Sequence, residues 1–345
     1  MRDIIGITKT MLAFALAFSL LPLAACEKQP LPAKAPVSTM ESLVPEKANL
    51  MGLVHVTRIL DDKDIPDLYR ALATREPGAP PTLEAALQRM ESQTGINPRD
   101  FDEAVMFGEM SSLLNAGGGS NGIPYAGVIL KGRIGKDLVK NIVSQWGLKA
   151  KPVAYQGYEL YVSQNDAVAV AVVAEDFIAI GSSQALKEVM DVRQGAGRPI
   201  SGKVYDAFRA LPDGLVRLSS TVPPELLRSI PSQKPPGIPG GELTDRLYSS
   251  MYVSIRDLDL FTLVLGKDKD RFVVDTALLF NNKGSSGNLG GPLKAAVTMG
   301  KLAPGLPKAV KILLSNMSLK TEDFLLTIQL SLTPQEIVEA ATSRQ

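Results

Sequence analysis

Between Gly157 and Val192 apolar and polar positions alternate with a period of two, and the pattern then switches to a helical period. Tyr158, Leu160 and Val162 fall on one side and Glu159 and Tyr161 on the other, which predicts a half-buried strand. Asn165-Asp166 supplies turn chemistry, because both side chains bond nearby backbone and tolerate left-handed dihedrals. Ala167–Ala174 is apolar throughout and predicts a strand covered on both faces. Glu175-Asp176 turns the chain into a third strand, Phe177–Gly181. From Ser182 onward, Ala185, Leu186, Val189 and Met190 form one helical stripe, with Ser182 or Ser183 placed to cap the first free N–H groups.

Variants of this unit recur at Leu258–Leu302 and Val310–Ala341. In the last, Val310–Met317 and Phe324–Leu332 predict strands flanking Lys320–Asp323. Thr333-Pro334-Gln335-Glu336 is a capping box with proline at the first helical position, and it turns Ile337, Val338 and Ala341 toward the sheet. Upstream the pattern predicts a strand over Leu50–Val56 and helices over Ile65–Ala73, Thr82–Thr94 (closed by Gly95) and Asp137–Trp146. Asn97-Pro98 opens a helical turn, and Ala104–Phe107 and Tyr125–Ile134 read as strands. Pro45-Glu46 before Gly52–Val56 is echoed by Pro212-Asp213 before Gly214–Leu218. The chain therefore reads as an internal duplication with halves at 46–195 and 203–345, each of normal domain size, and a Gly-rich charged hinge at Asp191–Lys203. Pro231–Gly241 and Asn281–Gly291 read as loops. The fold class predicted is α+β: two similar halves, each a mainly antiparallel sheet with helices packed on one face.

The first 25 residues change the picture. Arg2 and Lys9 precede an apolar stretch, Met11–Leu21, that is too short to span a bilayer. It closes on Leu23-Ala24-Ala25-Cys26, which resembles the lipobox of bacterial lipoproteins. That resemblance implies a signal peptide over 1–25, cleavage between Ala25 and Cys26, and lipid attachment (diacylglycerol with a palmitate-type acyl chain) at Cys26. Each buried methylene contributes about 0.8 kcal/mol, so two or more chains make a lasting anchor in the bilayer. Residues 26–45 hold four prolines and read as a semi-rigid tether. The expected location is the cell envelope, exported and held at a membrane. Glu27 after the cysteine, where aspartate marks inner-membrane retention in Gram-negative lipoproteins, favours the outer membrane or cell surface, facing the periplasm or beyond.

Composition bounds the chemistry. The chain is 345 residues long and 45% apolar, with 37 basic and 36 acidic residues; loss of Arg2, Lys9 and Asp3 with the leader leaves 35 of each. A neutral balance gives no reason to propose nucleic acid as a partner. One cysteine and one histidine exclude an intrachain disulfide and argue against a Cys/His zinc site.

Six features invite a catalytic or binding reading. Gly197–Lys203 has P-loop spacing, but Val204 stands where the Ser/Thr belongs, Pro199 removes a cradle donor and no strand feeds it. Gly118-Gly119-Ser120-Asn121-Gly122 fits a nucleophile elbow, but Ile123-Pro124 follows it and the only histidine, His55, precedes it. His55, flanked by Val54 and Val56, reads as a half-exposed strand residue without an evident partner. Asp61-Asp62-Lys63-Asp64 reads as an acidic helix start and Asp100-Phe101-Asp102-Glu103 as a solvated loop; neither has calcium-ligand spacing. Tyr155, Tyr158, Tyr161 and Trp146 read as sheet and core packing. No catalytic, cofactor or metal residues are assigned.

Thr94–Val105 (TGINPRDFDEAV), Gly157–Tyr161 (GYELY) and Ala174–Gly181 (AEDFIAIG) resemble a family of uncharacterised exported prokaryotic proteins, a domain of unknown function with duplicated α+β halves. The likeness covers mainly Val44–Val192 and implies no activity or site residues. Three functions compete. The first is a non-enzymatic lipoprotein that binds or assembles envelope proteins. The second is a carrier, or solute-binding lipoprotein, with a small or apolar ligand in the cleft between halves. The third is a hydrolase using only carboxylates, with Asp100, Asp102 and Glu103 as its candidates. The first fits the tether and the missing catalytic groups best.

Overall fold

The computed structural model describes residues 39–75, 78–116, 124–135, 137–149, 151–229, 252–302 and 305–342. Its strands are β1 (Leu50–His55), β2 (Phe101–Gly108), β3 (Ala126–Gly132), β4 (Val153–Tyr155), β5 (Tyr158–Val162), β6 (Val168–Ala174), β7 (Phe177–Ser182), β8 (Val216–Thr221), β9 (Leu258–Asp268), β10 (Arg271–Phe280), β11 (Met317–Glu322) and β12 (Leu325–Leu332). The helices are α1 (Val56–Leu60), α2 (Ile65–Ala73), α3 (Leu83–Thr94), α4 (Met110–Ala116), α5 (Leu138–Trp146), α6 (Ser183–Gln194), α7 (Lys203–Ala210), α8 (Pro224–Ser229), α9 (Ser285–Leu302), α10 (Lys308–Ser315) and α11 (Pro334–Thr342).

The strands form one antiparallel sheet in the order β11-β12-β10-β9-β8-β1-β2-β3-β7-β6-β5-β4. The fold is α+β, as the pattern predicts, but the halves share a single sheet. They meet where β1 pairs with β8, from Leu50 opposite Ser220 to Val54 opposite Val216. Outward from this seam the order is β1-β2-β3-β7-β6 on one side and β8-β9-β10-β12-β11 on the other, with the β4–β5 hairpin added at the first edge. A backbone ladder therefore occupies the line where a cleft between halves was expected.

Helices cover both faces. Along β7, Ala179 joins the core under α6 with Ala185, Leu186, Val189 and Met190, while Ile178 and Ile180 join the core under α5 with Ile142 and Val143. Neighbouring residues of a strand point to opposite faces, and β6 and β7 are apolar on both, so each face needs cover. The organising unit otherwise follows its sequence. Tyr158, Leu160 and Val162 lie in one core and Tyr161 in the other. Asp166 takes a left-handed φ of 56° in the turn, and Ser182 Oγ accepts from Ala185 N at 3.3 Å. Trp146 Nε1 donates to Thr94 O at 2.9 Å, and Tyr155 Oη donates to Asp191 at 3.0 Å, which ties the aromatics into the core as expected.

Other expectations change. Val310–Met317 is not a strand: α10 runs to Ser315, and β11 begins at Met317. An unbroken apolar run such as Ile312-Leu313-Leu314 satisfies either period. Most of Asn281–Gly291 belongs to α9 rather than to a loop, despite its glycines and the internal Pro292. Two of those glycines are contact points, since a Cβ on Gly290 would overlap Thr321 and one on Gly300 would overlap Leu314. Close packing onto β11 and α10 therefore outweighs poor helix propensity. The folded body already includes residues ahead of Pro45, because Met40 and Leu43 are buried in the main core. The expected hinge is strapped down: Ile200 is buried, and its N–H donates to Val44 O at 2.7 Å.

The capping box closes as predicted, with Glu336 N donating to Thr333 Oγ1 at 3.2 Å and Thr333 N to Glu336 Oε2 at 2.8 Å. Glu336 also accepts from Asn316 at 3.0 Å and Arg271 at 3.1 Å. The Thr333 N–H is the chief reason its carboxyl stays below the ordinary glutamate range. Glu336→Ala is expected to cost about 1–2 kcal/mol in urea unfolding. A depressed carboxylate stabilises above its ordinary range and loses that contribution as pH falls through its lowered value. The gap between wild type and variant should therefore shrink on acidification below about pH 4.

Candidate functional site

Polar side chains from distant segments converge at the end of the seam. Leu53, fully buried, anchors β1, and α1 begins at Val56, so His55 is held between strand and helix. Its N–H donates to Leu215 O at 2.9 Å, extending the β1–β8 ladder by one bond. Its side chain is only 14% exposed, not half-exposed as the sequence suggested. The reason is two carboxylates: Nδ1 lies 3.1 Å from Glu103 Oε1 of β2, and Nε2 lies 3.6 Å from Asp213 Oδ1 in the turn before β8. Arg58 of α1 donates to both Asp213 oxygens at 3.0 and 2.9 Å. Burial works against ionisation of Asp213. The Arg58 hydrogen bonds and charge, the Gly214 N–H and the nearby imidazole nevertheless hold its carboxyl below the usual range.

The acidic stretch 100–103 is not a loop. Asp102 and Glu103 are consecutive in β2, at an irregularity in its register with β3, and they take different partners. Asp102 accepts from Thr57 Oγ1 at 3.2 Å, and Glu103 approaches His55 and, at 3.8 Å, Lys131. Asp100 pairs with Arg133 at 3.0 Å beside a polar hollow of about 420 Å³ between α3 and α5, with Asn97, Asp137 and Asn141 also on its wall. The three candidate carboxylates thus go to three different partners and do not form an acid–base pair.

A second polar cluster crosses between the halves. Asp62 and Asp64 stand at the start of α2 as expected, with Asp64 at the cap position but making no side-chain cap bond, and Asp62 accepting from Asp64 N at 2.9 Å. Both hold Lys267 of β9, at 2.6 and 2.7 Å, with side chains 13–23% exposed and the ammonium 5.1 Å from the centre of the Phe272 ring. Burial alone would raise the Asp62 carboxyl, but Lys267 and the Asp64 N–H hold it below its ordinary range. Lys203 of the P-loop-like stretch pairs with Asp259, which ties its ammonium to a carboxylate rather than to a phosphate cradle. Ala25, Cys26, Gly118–Gly122 and Pro231–Gly241 lie outside the described residues. Among the described residues no group of three or more His, Cys, Asp or Glu side chains could hold a metal ion, and no helix is long and apolar enough to cross a membrane.

The sequence did not single out α9, which is apolar on two sides. Leu289, Leu293 and Val297 face the sheet core, with Leu289 and Val297 buried. On the opposite stripe Gly291, Ala295, Met299 and Leu302 are exposed, Met299 at 65% and Leu302 at 81%. From Leu293 to Ser315 the only charged residues are Lys294, Lys301, Lys308 and Lys311.

No family model matches the chain, and no curated protein matches it. Among solved structures it is similar to TP0453, a Treponema lipoprotein of unknown function. Crystal form III of TP0453 is 12% identical with a TM-score of 0.50, covering 89% of this chain and 98% of that one. Crystal form I is 12% identical with a TM-score of 0.48, covering 90% and 99%. At this identity the likeness is one of fold.

Proposed function

We propose that this chain is an exported lipoprotein, anchored by acylated Cys26, that acts as a non-enzymatic binding component of the cell envelope and meets a membrane through α9. The carrying observation is the outer stripe of α9. A helix that is apolar on both sides is normally covered on both, yet Met299 and Leu302 face outward. Lys294 and Lys301 of the same helix, which has no acidic residue, suit contact with an anionic lipid interface. The fold shared with TP0453, itself a lipoprotein, supports the anchored reading. Thirteen residues, 27–39, separate Cys26 from Met40, a reach of up to about 40 Å at polyproline rise. Such a tether keeps the body near the lipid without pressing it flat, and the apolar stripe then sets the orientation.

The test is vesicle flotation of the mature chain carrying Cys26→Ser, so that acylation contributes nothing. Phosphatidylglycerol vesicles should retain the protein and phosphatidylcholine vesicles should not. Met299→Asp with Leu302→Asp should reduce retention at least tenfold, since a charge in an apolar interface is expensive. Equal retention of wild type and double variant would remove the lipid reading and leave a protein partner for that face.

A further inference from the structure

We infer that His55 is a proton-operated clamp between the two halves of the sheet, closed when the imidazole is charged. Each ring nitrogen faces a carboxylate: Glu103, on the first half's β2, stands 3.1 Å from Nδ1, and Asp213, in the turn that leads into the second half, stands 3.6 Å from Nε2. A neutral imidazole carries one N–H and one lone pair, so it can satisfy only one of the two and turns a lone pair toward the other. Only the imidazolium donates in both directions. The side chain is largely buried, and Nε2 has no hydrogen-bond partner among the described residues. The arrangement is thus one donor short in the neutral state and complete after protonation.

The position gives the proton leverage. His55 N–H to Leu215 O is the bond that follows the last paired residues of the seam, Val54 and Val216. Asp213 and Leu215 flank Gly214, where a Cβ would lie 2.7 Å from Val264 Cγ1 and 2.9 Å from Leu265 O, so this turn is packed tightly against β9. Drawing Asp213 toward Nε2 therefore draws the entry to β8 onto β1. The charged and titratable groups facing the imidazole are Glu103 from β2, with Lys131 of β3 behind it, Arg58 of α1 and Asp213 of the turn. Asp102, next to Glu103 in the chain, is engaged by Thr57. Arg58 pairs with Asp213 and favours its ionised form, so the switching group is the imidazole. The sign follows: an imidazolium paired with two carboxylates favours the folded state at the lower pH, and that contribution is lost when the imidazole gives up its proton.

His55 is the only histidine, so the mature chain reports on itself without assignment. Thermal unfolding should be followed between pH 5.5 and 8, where ordinary carboxylates stay charged, for wild type, His55→Gln and Asp213→Asn. The wild type should gain about 2–4 °C in Tm relative to His55→Gln on going from pH 8 to pH 5.5. Asp213→Asn should abolish at least half of that gain, and the protection factor of the residue-55 amide, taken against the intrinsic exchange rate at each pH, should rise at the lower pH in wild type but not in either variant. Cooperative melting of His55→Gln at pH 8 shows that it folds. A Tm difference independent of pH overturns the proposal, as does a wild type that loses stability relative to His55→Gln on acidification.

Discussion

Replacing Lys267 with alanine is expected to destabilise the protein by about 3 kcal/mol, because it strands two largely buried carboxylates. Asp62 and Asp64 approach one ammonium at 2.6 and 2.7 Å, and no other cation among the described residues is bonded to either. Removing the cation leaves two like charges side by side, whereas Asp62→Asn leaves Asp64 to neutralise the lysine. The lysine variant should therefore be the worse of the two, and a urea midpoint series measures the order directly. The pH dependence has a defined sign. Asp62 is depressed, so its share is present above the ordinary aspartate range and is lost as pH falls through its lowered value. Lys267 is raised, so its share is present at neutral pH and is lost only as pH climbs above 10.5 through its elevated value. Equal destabilisation by Lys267→Ala and Asp62→Asn would show that the pair is a solvated contact without structural weight.

Phe107→Ala is expected to cost more, about 3–5 kcal/mol, in the same measurement. Phe107 is 2% exposed, and its ring lies over Gly127 of the paired strand, where an added Cβ would sit 2.5 Å from Cζ. The glycine makes room for the ring and the ring covers the glycine, so truncation opens a cavity that backbone alone borders on one side. Tyr125 meets the ring edge-on at 6.5 Å and cannot collapse freely into that space, since its hydroxyl donates to Glu188 at 2.6 Å. Gly127→Ala should also destabilise, by overpacking. A loss below about 1 kcal/mol for Phe107→Ala would mean that the site relaxes, contrary to the packing around it.

Much of the first half was legible because its signals are local. Thr94-Gly95-Ile96-Asn97-Pro98, part of the stretch that carries the family resemblance, is a capping device. Thr94 Oγ1 donates to Met90 O at 2.7 Å and accepts from Ile96 N, Gly95 takes a φ of 72°, and Asn97 Oδ1 accepts from Arg99 N at 3.0 Å. These are contacts across two to four residues, which a sequence displays directly. The clusters at the seam were not legible. Arg58 and Asp213 are 155 residues apart, and Asp62 and Lys267 are 205 apart. His55 and the acidic tetrads were visible as residues, but their partners depend on which strands adjoin.

The amino-acid sequence by itself determined the alternation that makes β5, β6 and β7, the caps of α6 and α11, the left-handed turns, and the export and lipidation signals expected around Cys26. Only the tertiary structure decided that β1 and β8 fuse the halves into one sheet, that α10 is helix rather than strand, and that His55 and Lys267 each bridge the seam. The physical reason is range. Caps, turns and periodicity follow from dihedral preferences and hydrogen bonds within a few residues. Edge-to-edge pairing is selected by burial summed over the whole chain, and no short stretch records it.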